Sequence, residues 1–169
     1  MTDQISARGT SKLTGVGRPA QPLDATDRQI LNELIRDART SIRSMAERVH
    51  ISRANAYARV DRLVADEVIT GFSARIDHAR AGLGTSAYVA LSLEQDSWRE
   101  VSARLGRLPY VEHVWMVGAD FDVLVLVRAP DNAALGDLVL DRIQSIPGVR
   151  TTRTWLVFEE LQGPGADWS

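Results

Sequence analysis

Two groups of side chains have the types and the spacing to do chemistry. The first is Ser52, Arg53, Asn55, Ala58, Arg59 and Arg62. On a helix turning about 100° per residue, Asn55, Arg59 and Arg62 recur at i, i+4 and i+7 and form one row. With Ala56, Val60, Leu63 and Val64 taken as the inward side, that row is expected on the opposite face, with Ala58 between its members. Arginine bridges guanine or phosphate with two donors, and asparagine pairs with adenine in the same bidentate way. Alanine lets the helix approach a groove floor closely. Arg53 falls in the first turn, beside backbone N–H groups that favour a phosphate. Arg43, on the preceding helix, is a candidate backbone contact. The plain competitor is an arginine-rich solvated face. The second group is Gly118, Ala119, Asp120, Phe121 and Asp122. The two carboxylates flank a turn between strands and suit an α-ammonium group, with backbone N–H groups near Gly118 and Ala119 for an α-carboxylate. Asp120 equally reads as a turn former and Asp122 as a strand-edge charge.

Three helices position the first group. Asp24 is a good N-cap, and Asp27 in the first turn complements the helix dipole. Ile30, Leu31, Leu34 and Ile35 form one apolar stripe of helical period. A second helix follows Ser41, with Ile42, Met45, Ala46 and Val49 inward, and Ser52 caps a third. The short link between the last two describes a helix-turn-helix unit, and residues 68–72 read as a strand or wing leaving it. One such unit binds DNA poorly. A dimer reaching half-sites roughly 34 Å apart is the usual remedy, so the rest of the chain is expected to supply dimerisation.

The second group sits in a different texture. Thr85–Leu93 alternates, with Ala87, Val89, Leu91 and Leu93 on one face. Ser97 and Glu100 read as a capping box opening a helix that buries Trp98, Val101, Leu105 and Leu108. Strands are expected at 111–117 and 121–127 around the turn Gly118-Ala119-Asp120. Asp131 opens a helix with Leu135, Leu138, Val139, Ile143 and Ile146 inward, and a last strand covers 149–160. The order is βαββαβ. Leu108-Pro109-Tyr110-Val111 is echoed by Ile146-Pro147-Gly148-Val149, the half-repeat of a ferredoxin-like sandwich. The fold class is α+β: a winged helix-turn-helix at 23–73, then a βαββαβ domain at 74–161. Residues 1–22, rich in Ser, Thr, Gly and Pro, read as a flexible tail and 162–169 as a loose C-terminus.

Charge looks unhelpful until it is divided. The chain of 169 residues carries 20 basic and 22 acidic groups, net −2, which argues against a uniformly basic nucleic-acid binder. Yet residues 39–62 hold six arginines against Glu47 and Asp61, while residues 71–169 are net acidic. The basic excess lies on the helices that would meet DNA. Absence of cysteine excludes disulfides, zinc fingers and thiol catalysis. His50, His78 and His113 have no ligand spacing, and no cofactor motif is present. No stretch approaches the ~20 apolar residues of a membrane span, and no secretory signal opens the chain, so a cytoplasmic location is expected.

Several strings resemble one family. Leu23-Asp24-x-x-Asp27-x-x-Ile30-Leu31, Arg39, Val49-His50-Ile51-Ser52, Arg59-Val60-x-Arg62-Leu63 and Ile69-x-Gly71-Phe72 resemble the N-terminal signature of the Lrp/AsnC (feast/famine) transcriptional regulators. Ala119-Asp120-Phe121-Asp122 and Pro147-Gly148-Val149-x-x-Thr152-x-Thr154 resemble the motifs of that family's ligand-binding domain. The resemblance implies double-stranded DNA as partner, a homodimer formed through the sheets and assembling further to an octamer, and an amino-acid effector bound between subunits. It places effector contacts at Gly118–Asp122 and near Thr152 and Thr154, whose hydroxyls suit a carboxylate, with Met116 and Phe121 as pocket or core residues. Ala119 stands where the family often has Gly, and so do His50 and Glu67. The last two read as local backbone solutions. The expected function is a sequence-specific regulator whose assembly or DNA affinity answers to the effector. The alternatives are an effector-independent DNA-bending architectural protein and an amino-acid-metabolism enzyme with a sensor domain.

Overall fold

The computed structural model describes residues 21–118, 120–161 and 163. The tail expected at 1–22 therefore lies outside the described residues except for Gln21 and Pro22, and the loose C-terminus except for Gly163. The described chain forms two compact units, one ending at Arg75 and the other spanning Ile76–Leu161. No described helix is long and apolar enough to cross a membrane.

The first unit is helical: α1 (Ala25–Arg36), α2 (Ile42–Arg48) and α3 (Arg53–Ala65). Each start is capped by the residue the sequence offers. The Asp24 carboxylate accepts the Asp27 N–H at 2.8 Å, and the Asp27 carboxylate accepts the Asp24 N–H at 3.1 Å, a reciprocal capping box. Ser41 and Ser52 accept the N–H groups of Ser44 and Asn55. Ile30, Leu31, Met45, Ala46, Val49, Ala56 and Leu63 make the core, with Leu34, Ile42 and Val60 packed on it. Two expected core residues are not in it: Ile35 is 59% exposed and Val64 45%. In α1 the buried row runs through Asp27, Ile30 and Leu31, which leaves Ile35 a step too far round the helix.

Both α2 and α3 end in a left-handed residue that is not glycine. His50 has φ 58° and Glu67 φ 56°. Beyond them, Ile51 N–H donates to the Ala46 carbonyl and Val68 N–H to the Leu63 carbonyl, the long bond of a Schellman motif. The left-handed conformation costs a side chain about 1 kcal/mol or more relative to glycine. His50→Gly is therefore expected to raise the melting temperature of this unit by a few degrees, readable by calorimetry. The strand expected at 68–72 does not form. Val68 and Ile69 both donate to the Leu63 carbonyl and pack on the helical core, so their N–H groups finish α3 rather than pair with a strand.

The second unit is a four-stranded antiparallel sheet with helices on one side. Its elements are β1 (Thr85–Leu93), α4 (Trp98–Leu105), β2 (Val111–Met116), β3 (Val123–Ala129), α5 (Asn132–Asp137) and β4 (Val149–Val157). The strand order is β2-β3-β1-β4, the ferredoxin-like arrangement anticipated above. Ala87, Val89, Leu91 and Leu93 of β1 join Val123, Val125 and Val127 of β3 beneath Val101, Leu105, Leu135, Leu138 and Ile143 of the helices. The expected second helix is longer than α5 alone: Leu138–Ile143 continues it as a π-helix, with Gln144 N–H reaching back five residues to the Val139 carbonyl at 3.0 Å. Strand limits differ from expectation. β3 starts at Val123 and β2 stops at Met116, because Phe121 and Asp122 belong to the turn, closed by Val117 N–H on the Asp122 carbonyl.

The capping box expected at Ser97 and Glu100 is not made. Ser97 has helical backbone angles and its hydroxyl makes no cap bond. It lies instead within hydrogen-bonding distance of the Glu94 carbonyl at 2.7 Å and the Gly148 carbonyl at 3.3 Å. That ties the start of α4 to the start of β4. The two echoed junctions share a backbone device: Tyr110 has φ 67° and Gly148 φ 92°.

No described helix of this unit covers the other sheet face. Tyr88, Trp115 and Trp155 stand exposed there, and the His113 and Trp115 rings stack at 5.2 Å. Among them Arg128 is nearly buried. Its guanidinium donates to Glu112 of β2, to Ser86 of β1 at 3.0 Å, and to Glu160 beyond β4 at 2.9 Å. The Arg128 guanidinium holds the Glu160 carboxyl below its ordinary range.

Candidate functional site

In the helical unit, α3 is the element whose residues the sequence singled out. Arg53, Asn55 and Ala58 are exposed on it, and Ser52 serves as its N-cap. Arg43 of α2 is exposed and pairs with Glu47 one turn on, at 3.0 Å. Arg59 and Arg62 are not where the helical row was expected to put them. They turn toward the start of α1: Arg59 Nη1 lies 2.7 Å from both Asp24 Oδ2 and Asp27 Oδ1, and Arg62 Nη2 lies 2.5 Å from Asp27 Oδ2. The reason is angular. Asn55, Arg59 and Arg62 each precede a core-side residue (Ala56, Val60 and Leu63), so their row lies beside the core row rather than across from it. Arg59 also donates to Asn55 Oδ1 at 2.9 Å.

Asp27 is wholly buried, a role its first-turn position did not reveal. Burial pushes its carboxyl up, but hydrogen bonds from Arg59 and Arg62 outweigh this and hold it below the usual carboxylate range. Asp24 is lowered as well, first by the Asp27 N–H and then by Arg59. Because both folded values lie under the unfolded ones, the stabilisation is fully present above about pH 4 and is lost as pH falls through the folded values. Acid titration of wild type is thus expected to lower the melting temperature of the helical unit below about pH 4. The same titration of Asp27→Asn should show a shallower loss over that range.

In the sheet unit, a shallow cleft opens on the face that no described helix of the unit covers. Ala90, Ser92, Asp120, Phe121, Thr151 and Arg153 line it, and Phe121 leans on Trp155 with ring centroids 5.9 Å apart. Of the expected effector residues, Asp120 and Phe121 are brought together here. Thr152 and Thr154 are not. They pair with Leu91 and Val89, whose side chains enter the core, so they stand on the helix side of the sheet. There Thr152 Oγ1 accepts from Gln144 Nε2 at 2.8 Å. A strand alternates, so the cleft takes their neighbours Thr151 and Arg153 instead. Met116 is paired with Val123 and also falls on the helix side. Gly118 is exposed, and Ala119 lies outside the described residues. Asp122 closes the end of β1: its carboxylate accepts the Leu93 N–H at 2.7 Å and its own N–H donates to the Leu91 carbonyl at 2.9 Å. Neither Asp120 nor Arg153 forms an ion pair among the described residues. The cleft therefore offers one charge of each sign beside an aromatic ring. Sequence reasoning missed Arg153 and Thr151; the alternation of β4 against β1 was the signal that would have found them.

A capped three-helix unit with an exposed α3, followed by an antiparallel sheet carrying a cleft, is the architecture of a DNA-binding transcriptional regulator with a ligand-binding domain. Residues 23–70 match a family model described as winged helix-turn-helix DNA-binding, and residues 86–165 match the Lrp/AsnC ligand binding domain. The chain belongs to the Lrp/AsnC family. It is 32% identical over 148 residues to the leucine-responsive regulatory protein of Salmonella typhimurium, covering 86% of this chain and 90% of that one. An uncharacterized HTH-type transcriptional regulator of Pyrococcus horikoshii is 33% identical, covering 80% and 93%. Among solved structures, the leucine response regulatory protein of Mycobacterium tuberculosis superposes with a TM-score of 0.76 at 31% identity, covering 87% of this chain and all of that one. These relatives are transcriptional regulators, which sets aside the reading as a metabolic enzyme.

Proposed function

We propose that this regulator binds specific DNA sequences as an oligomer, and that an amino-acid-like effector held at the sheet cleft shifts its assembly or its DNA affinity. The observation that carries the reading is the cleft itself. Arg153 suits an α-carboxylate, Asp120 suits an α-ammonium, and Phe121 with Ala90 offers an apolar wall. Its cavity volume is only about 50 Å³, far below the roughly 300–1,000 Å³ of enclosed small-molecule sites. A second subunit seated on the same sheet face would supply the missing wall, which is why effector binding and assembly are coupled in this reading. Coupling of about 1–3 kcal/mol is enough for such a shift, provided the ligand prefers one assembly.

The test is a thermal-shift screen of the amino acids, led by leucine because the relatives' names carry it, followed by sedimentation velocity. A ligand at 100 times its Kd is expected to stabilise by about 2.7 kcal/mol, several degrees of melting temperature. Arg153→Ala and Asp120→Asn should each remove that stabilisation while leaving the unliganded melting temperature within about a degree. A flat response to every amino acid sinks the effector reading and favours an architectural DNA-bending protein.

A further inference from the structure

We propose that Tyr57 and Asp61 are the side chains with which α3 discriminates bases, while Arg59 and Arg62 are positioning residues that fix the helix. This rests on the reading of the chain as a sequence-specific DNA binder. Around α3, the residues farthest from the core row of Ala56 and Leu63 are Ala54, Ala58, Asp61 and, at the helix end, Ala65; Tyr57 flanks the first three. All five are exposed, Tyr57 at 58%. Tyr57 and Asp61 are i and i+4, so they share one stretch of surface. The small alanines beside them allow the backbone to come close to a groove floor.

The arginines are committed elsewhere. Freeing Arg59 or Arg62 for a base would take one of its two guanidiniums from the buried carboxylate of Asp27, leaving it the other and the Asp24 N–H. Asn55 is also half committed, since bidentate adenine recognition needs its Oδ1, which already accepts from Arg59. Asp61 has neither constraint. A carboxylate at a groove surface repels phosphate and is satisfied by a cytosine N4 amino group, so it spends general affinity on discrimination. The Tyr57 hydroxyl donates and accepts, and its ring gives apolar contact to a thymine methyl.

The experiment selects preferred sites from a random-sequence duplex library with the full chain and with Asp61→Asn, Tyr57→Ala and Arg59→Gln. Binding is then measured to the selected and to a scrambled duplex, alongside melting temperatures. Asp61→Asn is expected to change the base preference at one or two positions per half-site. It should lower the selected-to-scrambled ratio about tenfold, with scrambled binding unchanged or tighter and the melting temperature kept. Tyr57→Ala should likewise alter the preference. Arg59→Gln should lower the melting temperature and weaken both duplexes together, with the wild-type preference retained. If Asp61→Asn and Tyr57→Ala still select the wild-type site, or Arg59→Gln selects a new one at unchanged stability, the assignment is wrong. If the wild type enriches no sequence at all, the sequence-specific reading falls and this inference with it.

Discussion

Asp27→Ala is expected to abolish DNA binding by melting the unit that carries α3. The substitution removes a wholly buried carboxylate that touches two guanidiniums and completes the capping box of α1. Breaking a buried ion pair from one side costs about 3–5 kcal/mol. Arg59 and Arg62 keep some access to water, which trims the figure toward about 3 kcal/mol. Loss of the return bond of the capping box, from the Asp24 N–H, adds up to about 1 kcal/mol. A helical unit of this size has only about 3–8 kcal/mol to lose. Far-ultraviolet circular dichroism and calorimetry should show the helical transition shifted down by more than ten degrees, with the sheet transition in place. Asp27→Asn separates charge from volume: it keeps the shape, so a comparable loss identifies the charge as the cause. A variant that melts like wild type would falsify the view that Asp27 organises this unit.

Gly148→Ala is the second large effect, in the sheet unit. With φ 92° the position disfavours any side chain, by roughly 1–2 kcal/mol. A Cβ there would also sit 2.5 Å from the Ser97 Cβ and 2.8 Å from its Oγ, closer than atoms pack. The neighbour is the root of the side chain just before α4, not a flexible tip, so the helix start or the strand has to shift. Overpacking of this kind costs about 1–3 kcal/mol. Together the expected destabilisation is about 3 kcal/mol, seen as a lowered denaturant midpoint. Ser97→Gly in the same chain should restore the crowding part and leave the backbone part, so the two substitutions are non-additive. Tyr110 is the built-in control, occupying the matching junction with φ 67° and a full side chain.

That pair of junctions shows what the sequence could and could not say. The echo around Pro109 and Pro147 was visible as letters, and it correctly implied two half-repeats and the sheet order. Nothing in the letters told that one copy must be glycine, because the reason is Ser97, fifty-one residues away. The same divide runs through the sites. Helix starts were legible because Asp24, Ser41 and Ser52 act on N–H groups within three residues. Arg59 was placed on the wrong side because a row one residue off the core row looks, in periodicity alone, much like a separate face. Its partner Asp24 is thirty-five residues distant. Thr152 and Thr154 came from the family resemblance; which residues of β4 face the cleft depends on the pairing with β1, including the irregularity between Ser92 and Leu93. Long-range pairing, not local propensity, settled both.

Arg128 has a practical consequence. One guanidinium fastens β1, β2 and the segment after β4, through Ser86, Glu112 and Glu160. Glu160, three residues past the last strand, is therefore not a free end at which to shorten the chain. A chain stopped at Phe158 would keep every strand but lose the Glu160 anchor, leaving Arg128 held by Glu112 and Ser86 alone on the open sheet face. Trimming the end is, for this protein, an edit to the middle of the sheet.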